Sequence, residues 1–211
     1  MINQTALLVK EWAEFEASHP KAELEDFCRY FLISSKNKNK PEGFLGGNVP
    51  PGIEQVLSKL MGRIMSMFVI YADSAIKPIG INGFVDFLYL NVIDNMKSPK
   101  KTEVIYANFN ELSSGLLIID RMIKNGLVTE QNDKQDKRSK RLSLTDKGLA
   151  MLHECYQVLT KLTQIFYKDM PDDDVRLCIH FLTPVEVRFA ALWQRHKGMG
   201  FEEVYGELTG K

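Results

Sequence analysis

The residues with the widest chemical repertoire in this 211-residue chain are four histidines and three cysteines. Their spacing does not assemble them. His19, His153, His180 and His196 form no H-x-x-x-H, H-E-x-x-H or Cys/His pattern, so no metal site is expected. Cys28, Cys155 and Cys178 are too few, too dispersed and odd in number for a disulfide framework, which fits a reducing cytoplasm. Each thiol reads as buried and inert. There is no P-loop, no G-x-G-x-x-G behind a strand and no G-x-S-x-G. The glycines of Gly43-Phe44-Leu45-Gly46-Gly47 have no phosphate-binding helix start close behind them. The expectation is a protein without cofactor or catalytic centre.

The one concentrated charge feature is cationic. Lys134, Lys137, Arg138, Lys140 and Arg141 put five cations into eight residues, opposed there by Asp136 alone. The chain as a whole is neutral, with 27 basic and 27 acidic residues. From Met96 to Gly148 eleven Lys/Arg face seven Asp/Glu, an excess of four, which 16 basic and 20 acidic residues offset elsewhere. A local basic tip of this kind suits a phosphate-rich partner or a narrow minor groove. Taken alone, it reads first as a solvated turn.

The elements that must position this tip follow from apolar spacing. Leu7, Leu8, Trp12 and Phe15, then Leu24, Phe27, Cys28, Phe31 and Leu32, predict two short amphipathic helices separated at His19-Pro20. Ser34 to Gly52 gathers Gly, Pro, Asn and Ser and reads as a linker or long surface loop. Ile53, Val56, Leu57, Leu60, Ile64, Met67, Phe68 and Tyr71 hold one stripe along a long helix that stops before Pro78. Shorter helices are expected from Gly83 to Asp94, from a Ser98-Pro99 start to Phe109, and from an Asn110 cap to Lys124 with Asn125-Gly126 as terminator. Leu127 to Glu130 and Arg141 to Thr145 predict a hairpin. A helix then opens at Thr145-Asp146-Lys147-Gly148, Pro171 interrupts it, a further helix follows the acidic Asp172-Asp173-Asp174 start, and Thr183-Pro184-Val185-Glu186 reads as a capping box for a last helix. The N-terminal stretch carries acids where a signal peptide needs a basic region. The most apolar segment, Met61 to Ile76, includes Arg63 and Asp73 and is too short for a bilayer span, so a soluble chain with no membrane partner is expected.

Helices followed by a hairpin and another helix are the order of a winged helix-turn-helix. The segment from Asp120 to Gly148 closely resembles the MarR family of bacterial transcription regulators. Asp120-Arg121 and Gly126 match the end of the family's recognition helix, and Leu127-Val128 its first wing strand. Asp136-Lys137-Arg138 matches the Asp-x-Arg wing tip, and Leu144-Thr145-Asp146-Lys147-Gly148 the start of the next helix. In layout the resemblance runs from Ile53 to Phe166, leaving the first fifty residues as an addition.

The resemblance implies a mainly α (α+β) fold, a winged helix-turn-helix with a small β-hairpin wing and helical N- and C-terminal dimerisation elements. The implied division is 1–52 extension and linker, 53–80 scaffold helix, 81–148 DNA-binding lobe and 149–211 dimerisation helices. It implies a cytoplasmic homodimer that binds double-stranded DNA at a pseudo-palindromic operator and regulates transcription. The recognition helix would present Ser113, Ser114, Leu116 and Leu117, and the wing Lys134, Asp136, Lys137, Arg138 and Lys140. Asp136 would orient the wing arginine, while Arg121 reads as a structural ion-pair partner. The leucines at 116 and 117 depart from the polar readers many relatives place there, because leucine can touch only apolar groups such as a thymine methyl. Phe68, Tyr71, Phe84 and Phe87 read individually as helix core. The resemblance adds that a small aromatic effector could bind beside them. The competing expectation is a winged-helix protein-interaction module with little or no DNA binding.

Overall fold

The structure is a computed structural model that describes residues 3–36, 46–48, 50–133 and 139–210. The chain divides into two units, residues 1–60 and 61–211. In the first, α1 (Gln4–Ser18) packs with α2 (Leu24–Lys36). Asn3 caps α1 by accepting from the Thr5 N–H at 3.0 Å, and the Asp26 carboxylate accepts from the Glu23 N–H at 3.0 Å where α2 begins. Phe15 and Phe27 are buried, with the Trp12 ring edge-on to Phe27 at 5.0 Å.

The stripe that begins at Ile53 becomes α3 (Ile53–Ile76), whose later turns belong to the second unit. A short 3₁₀ turn, Lys77–Ile79, follows where Pro78 denies the helix its next hydrogen bond. Then come α4 (Phe84–Met96), α5 (Lys101–Ala107) and α6 (Leu112–Lys124), strands β1 (Val128–Asn132) and β2 (Lys140–Leu144), and α7 (Asp146–Phe166). The fold is mainly α with a small two-stranded wing, as the order of elements implied. The strands pair antiparallel, with Val128 opposite Leu144 and Asn132 opposite Lys140. Helix α4 lies at the centre, touching α5, α6, α7 and β2. Its Tyr89, Leu90 and Ile93 share a core with Ile105, Ile119, Met122, Leu142 and Leu152.

Two glycines in this lobe are fixed by close approach. A Cβ at Gly148 would stand 2.1 Å from the Leu127 carbonyl oxygen. The first turn of α7 therefore rests on the end of the loop before β1. Thr145 locks this junction: its hydroxyl donates to Gly126 O at 2.7 Å and accepts from the Gly148 N–H at 3.0 Å. That is the physical content of the Leu-Thr-x-x-Gly motif. A Cβ at Gly115 would stand 2.5 Å from Ile105, so glycine there sets the α5 to α6 approach.

Several expected boundaries are corrected. Ser98 does not cap α5, which starts at Lys101 after the Glu103 carboxylate accepts from the Lys100 N–H at 2.6 Å. Asn110 does not cap α6: its amide donates to the Tyr89 hydroxyl at 2.8 Å, and Glu111 occupies the cap position. The capping box at Thr183 does not form either. α8 (Asp172–His196) runs through Pro184 with the loss of one backbone N–H, and the Thr183 hydroxyl, instead of capping a new helix, donates to Ile179 O at 2.7 Å. The acidic first turn Asp172-Asp173-Asp174 favours the true start, at the positive end of the helix dipole. A further helix that the sequence pattern did not announce, α9 (Phe201–Thr209), follows Gly198, whose φ of +85° turns the chain. Cys155 is buried and its thiol is pushed up to about 11 by burial, with Glu154 adding to it, but Cys28 and Cys178 are exposed, against expectation.

Candidate nucleic-acid interface

Helix α6 is held by its inner face. Gly115, Ile119 and Met122 are buried, and Leu116 and Ile118 pack against the same core. Its outer face at the N-terminal end carries Ser113, Ser114 and Leu117, all exposed, with Leu117 at 71%. Of the four residues expected to be presented by this helix, three share the solvent face, and Leu116 is turned inward. The face is nearly free of positive charge, since its next outward residue is the exposed Asp120.

Arg121 faces inward as anticipated, forming an ion pair with Asp86, which is 1% exposed on α4. The pair ties the far end of α6 to the central helix. Removing one partner from such a pair leaves the other's charge without compensation, so the contact fixes orientation more than it adds net stability.

The hairpin is tied to α5 and α6 by a network that the sequence did not disclose. Lys101 Nζ lies 2.7 Å from Glu130 on β1 and 3.4 Å from Asp120 on α6, and Lys140 on β2 approaches Glu130 at 3.6 Å. Burial alone would lower the Lys101 pKa, but Glu130 and Asp120 outweigh it and hold the ammonium above its usual value. The hydrogen bond from Lys101, helped by Lys140, holds Glu130 below the usual carboxylate range. No spacing rule announces partners 19 and 29 residues away from Lys101. Arg141 leaves the free basic set: its Nε donates to buried Asp133 at 2.6 Å and its guanidinium to Ser98 O at 2.6 Å. The Leu142 N–H donates to Pro99 O at 2.8 Å, stitching the segment before α5 to the edge of β2. The wing-tip residues Lys134, Asp136, Lys137 and Arg138 lie outside the described residues.

The four aromatic residues considered beside an effector come together. Phe68 meets Phe84 edge-on at 5.6 Å, Phe84 stacks on Phe87 at 5.6 Å, and Tyr71 and Phe68 both touch Phe166. Asp73 anchors the cluster by accepting from the Phe84 N–H at 2.6 Å. Among the described residues no cluster of three or more His, Cys, Asp or Glu is arranged to hold a metal ion, and no single helix is long and apolar enough to cross a membrane.

Comparison with known proteins agrees with this geometry. Residues 85–148 match the family described as winged helix DNA-binding domain. A mutant of MarR from E. coli, solved in complex with operator DNA, is 22% identical with a TM-score of 0.58, covering 61% of this chain and 92% of its own. The transcriptional regulator SlyA is 14% identical with a TM-score of 0.60, covering 65% and 96%. PcaV from Streptomyces coelicolor, solved with its natural ligand, is 16% identical with a TM-score of 0.57, covering 66% and 97%. The chain has the winged-helix fold of MarR-family regulators.

Proposed function

We propose that this chain is a non-enzymatic, DNA-binding transcriptional regulator of the MarR type, acting in the cytoplasm as a homodimer on a pseudo-palindromic operator. The observation that carries the reading is the outward N-terminal half of α6, set against the lobe by the close approach of Gly115 to Ile105 and by the Asp86–Arg121 pair, beside a hairpin whose tip is basic in sequence. In this arrangement α6 enters the major groove through Ser113, Ser114 and Leu117. The wing, with Lys134, Asp136, Lys137, Arg138 and Lys140, meets the backbone or minor groove. Selection of bound sequences from a random duplex pool is expected to return a two-fold symmetric site with half-sites one helical turn apart, about 34–36 Å. A pool that does not enrich any sequence overturns it.

Apolar exposure supports the dimer. Met61, Met65, Met67 and Ile70 on α3 are all more than 40% exposed, and α8 buries no residue while exposing Ile179, Phe181 and Val185. Such faces seek a partner, and a second copy supplies a self-complementary one. Light scattering should return twice the 24.1 kDa chain mass; a value near 24.1 kDa at micromolar concentration contradicts it. Effector control at Phe68, Tyr71, Phe84 and Phe87 belongs to the same proposal, supported by Tyr71, which stays 59% exposed at the cluster's edge.

One observation favours a second reading. Leu117, 71% exposed in the middle of α6, is the kind of residue a protein partner covers. An interaction module would show no duplex binding even at low salt.

A further inference from the structure

The C-terminal end of α8 and the turn between α5 and α6 enclose a groove of about 320 Å³, lined by Phe109, Glu186, Phe189, Ala190, Trp193 and His196. It is separate from the Phe68–Phe84 cluster. The sequence places Glu186, Phe189, Ala190 and Trp193 at i, i+3, i+4 and i+7, one face of a helix. Ala190 leaves the space, and the aromatic residues wall it. The Phe109 and Trp193 rings stand perpendicular at 83°, with centroids 6.1 Å apart, forming a corner. Phe109 holds this position with φ at +54°, a left-handed backbone that is uncommon for a bulky residue and marks a constrained position.

The charge around the groove is arranged asymmetrically. Two nearby cations have carboxylate partners, Arg195 with Glu207 at 2.7 Å and Lys197 with Glu111 at 3.7 Å, and the His196 ring lies 3.2 Å from the same Glu207. Glu186 has no ion-pair or hydrogen-bond partner among the described residues. The neighbouring rings already receive cations on their faces. Arg188 sits 5.8 Å from the Phe189 centroid, and Lys197 Nζ sits 4.0 Å from that of Tyr106. A small apolar groove with an aromatic corner and one unneutralised carboxylate is complementary to an organic cation, which gains from both the ring faces and the negative charge.

We infer that this groove binds a small organic cation, a tertiary or quaternary ammonium, between Phe109 and Trp193 with Glu186 as counter-charge. The site is independent of the DNA-binding reading, because the groove can be titrated without DNA. It adjoins that reading physically, since Phe109 lies in the turn that leads into α6.

The chain has two tryptophans, so the full-length Trp12→Phe variant leaves Trp193 as the only indole. Titration of that variant with benzyltrimethylammonium is expected to give a saturable change in Trp193 fluorescence, with a Kd at least ten-fold lower than for benzoate. Adding Glu186→Gln should raise the Kd for the cation at least five-fold, and Ala190→Phe, which fills the groove, should abolish the response. Circular dichroism and the urea midpoint confirm that each variant is folded. No saturable response to the cation, benzoate binding as tightly, or an affinity indifferent to Glu186→Gln would each overturn the inference.

Discussion

Replacing Gly148 by alanine tests whether the junction between the hairpin and α7 is as close as described. The added Cβ would meet the Leu127 carbonyl oxygen at 2.1 Å and its carbonyl carbon at 3.0 Å. Both are backbone atoms, so no side chain can rotate away. Relief requires α7 to retreat by about 1 Å, an overpacking that costs roughly 1–3 kcal/mol. The shift also strains the Thr145 cap, whose bond to the Gly148 N–H is worth about 1 kcal/mol. Alanine's better helix propensity returns about 1 kcal/mol. The net expectation is a loss of about 2 kcal/mol, read as a lower urea midpoint at unchanged slope. Two other glycines calibrate the result. Gly115→Ala meets only the Ile105 side chain, at 2.5 Å, and should cost about 1 kcal/mol after partial rotation. Gly62→Ala, with nothing within 4 Å in the middle of α3, should stabilise by about 0.5–1 kcal/mol. A Gly148→Ala protein as stable as Gly62→Ala would contradict the close approach of α7 to the Leu127 carbonyl.

Three further outcomes are expected. Arg121→Ala, which strands the buried Asp86 carboxylate, should cost about 3 kcal/mol in urea unfolding, near the lower end for a broken buried pair because Arg121 itself is partly exposed; a loss below about 0.5 kcal/mol contradicts a structural role. Iodoacetamide at pH 8 should modify exposed Cys28 in the native protein and spare Cys155, as intact mass would show. With its thiol held up to about 11, Cys155 gives up stability only as pH rises from the ordinary thiol range toward that value, where the unfolded chain ionises first. For the wing, Arg138→Ala should weaken duplex binding by roughly 1–3 kcal/mol, and each of Lys134→Ala, Lys137→Ala and Lys140→Ala should reduce the salt slope by about one. Unchanged affinity and slope in all four variants would reduce the basic hairpin to a solvated turn.

The parts of the fold that were legible in the sequence are those set by local periodicity and by residues with special backbone demands. The α3 stripe, the Gly126 stop at φ +69° and the Thr145 cap were all readable, because each depends on neighbours within a few positions. Helix starts are less legible. Ser98 and Asn110 are good cap residues by type, yet tertiary bonds claimed Asn110 for Tyr89, and Glu103 supplied the cap that Ser98 does not. Pro184 after Thr183 has the residue types of a helix beginning, yet α8 continues through it with one N–H missing. At the interface, the resemblance implies that Ser113, Ser114 and Leu117 are presented outward, where they are exposed, and Arg121 reads as the ion-pair partner it is for Asp86. The inward turn of Leu116 and the capture of Arg141 by Asp133 are not legible, because both depend on where β2 and α5 settle against the core. The residues that couple wing to helix, Lys101, Glu130 and Asp120, are brought together only by tertiary structure.

In the proposed function α6 and the wing contact DNA, with affinity dominated by phosphate contacts. Its most direct test is a competition titration at fixed salt, in which the sequence recovered by selection is displaced by random duplex. With Leu117 exposed where a polar reader would serve, and with only Ser113 and Ser114 offering polar base contact, the expected specificity ratio is about 10³, at the low end of the range for specific binders. A ratio near 10⁷ would contradict the phosphate-dominated mode, and no duplex binding at low salt would contradict the claim itself.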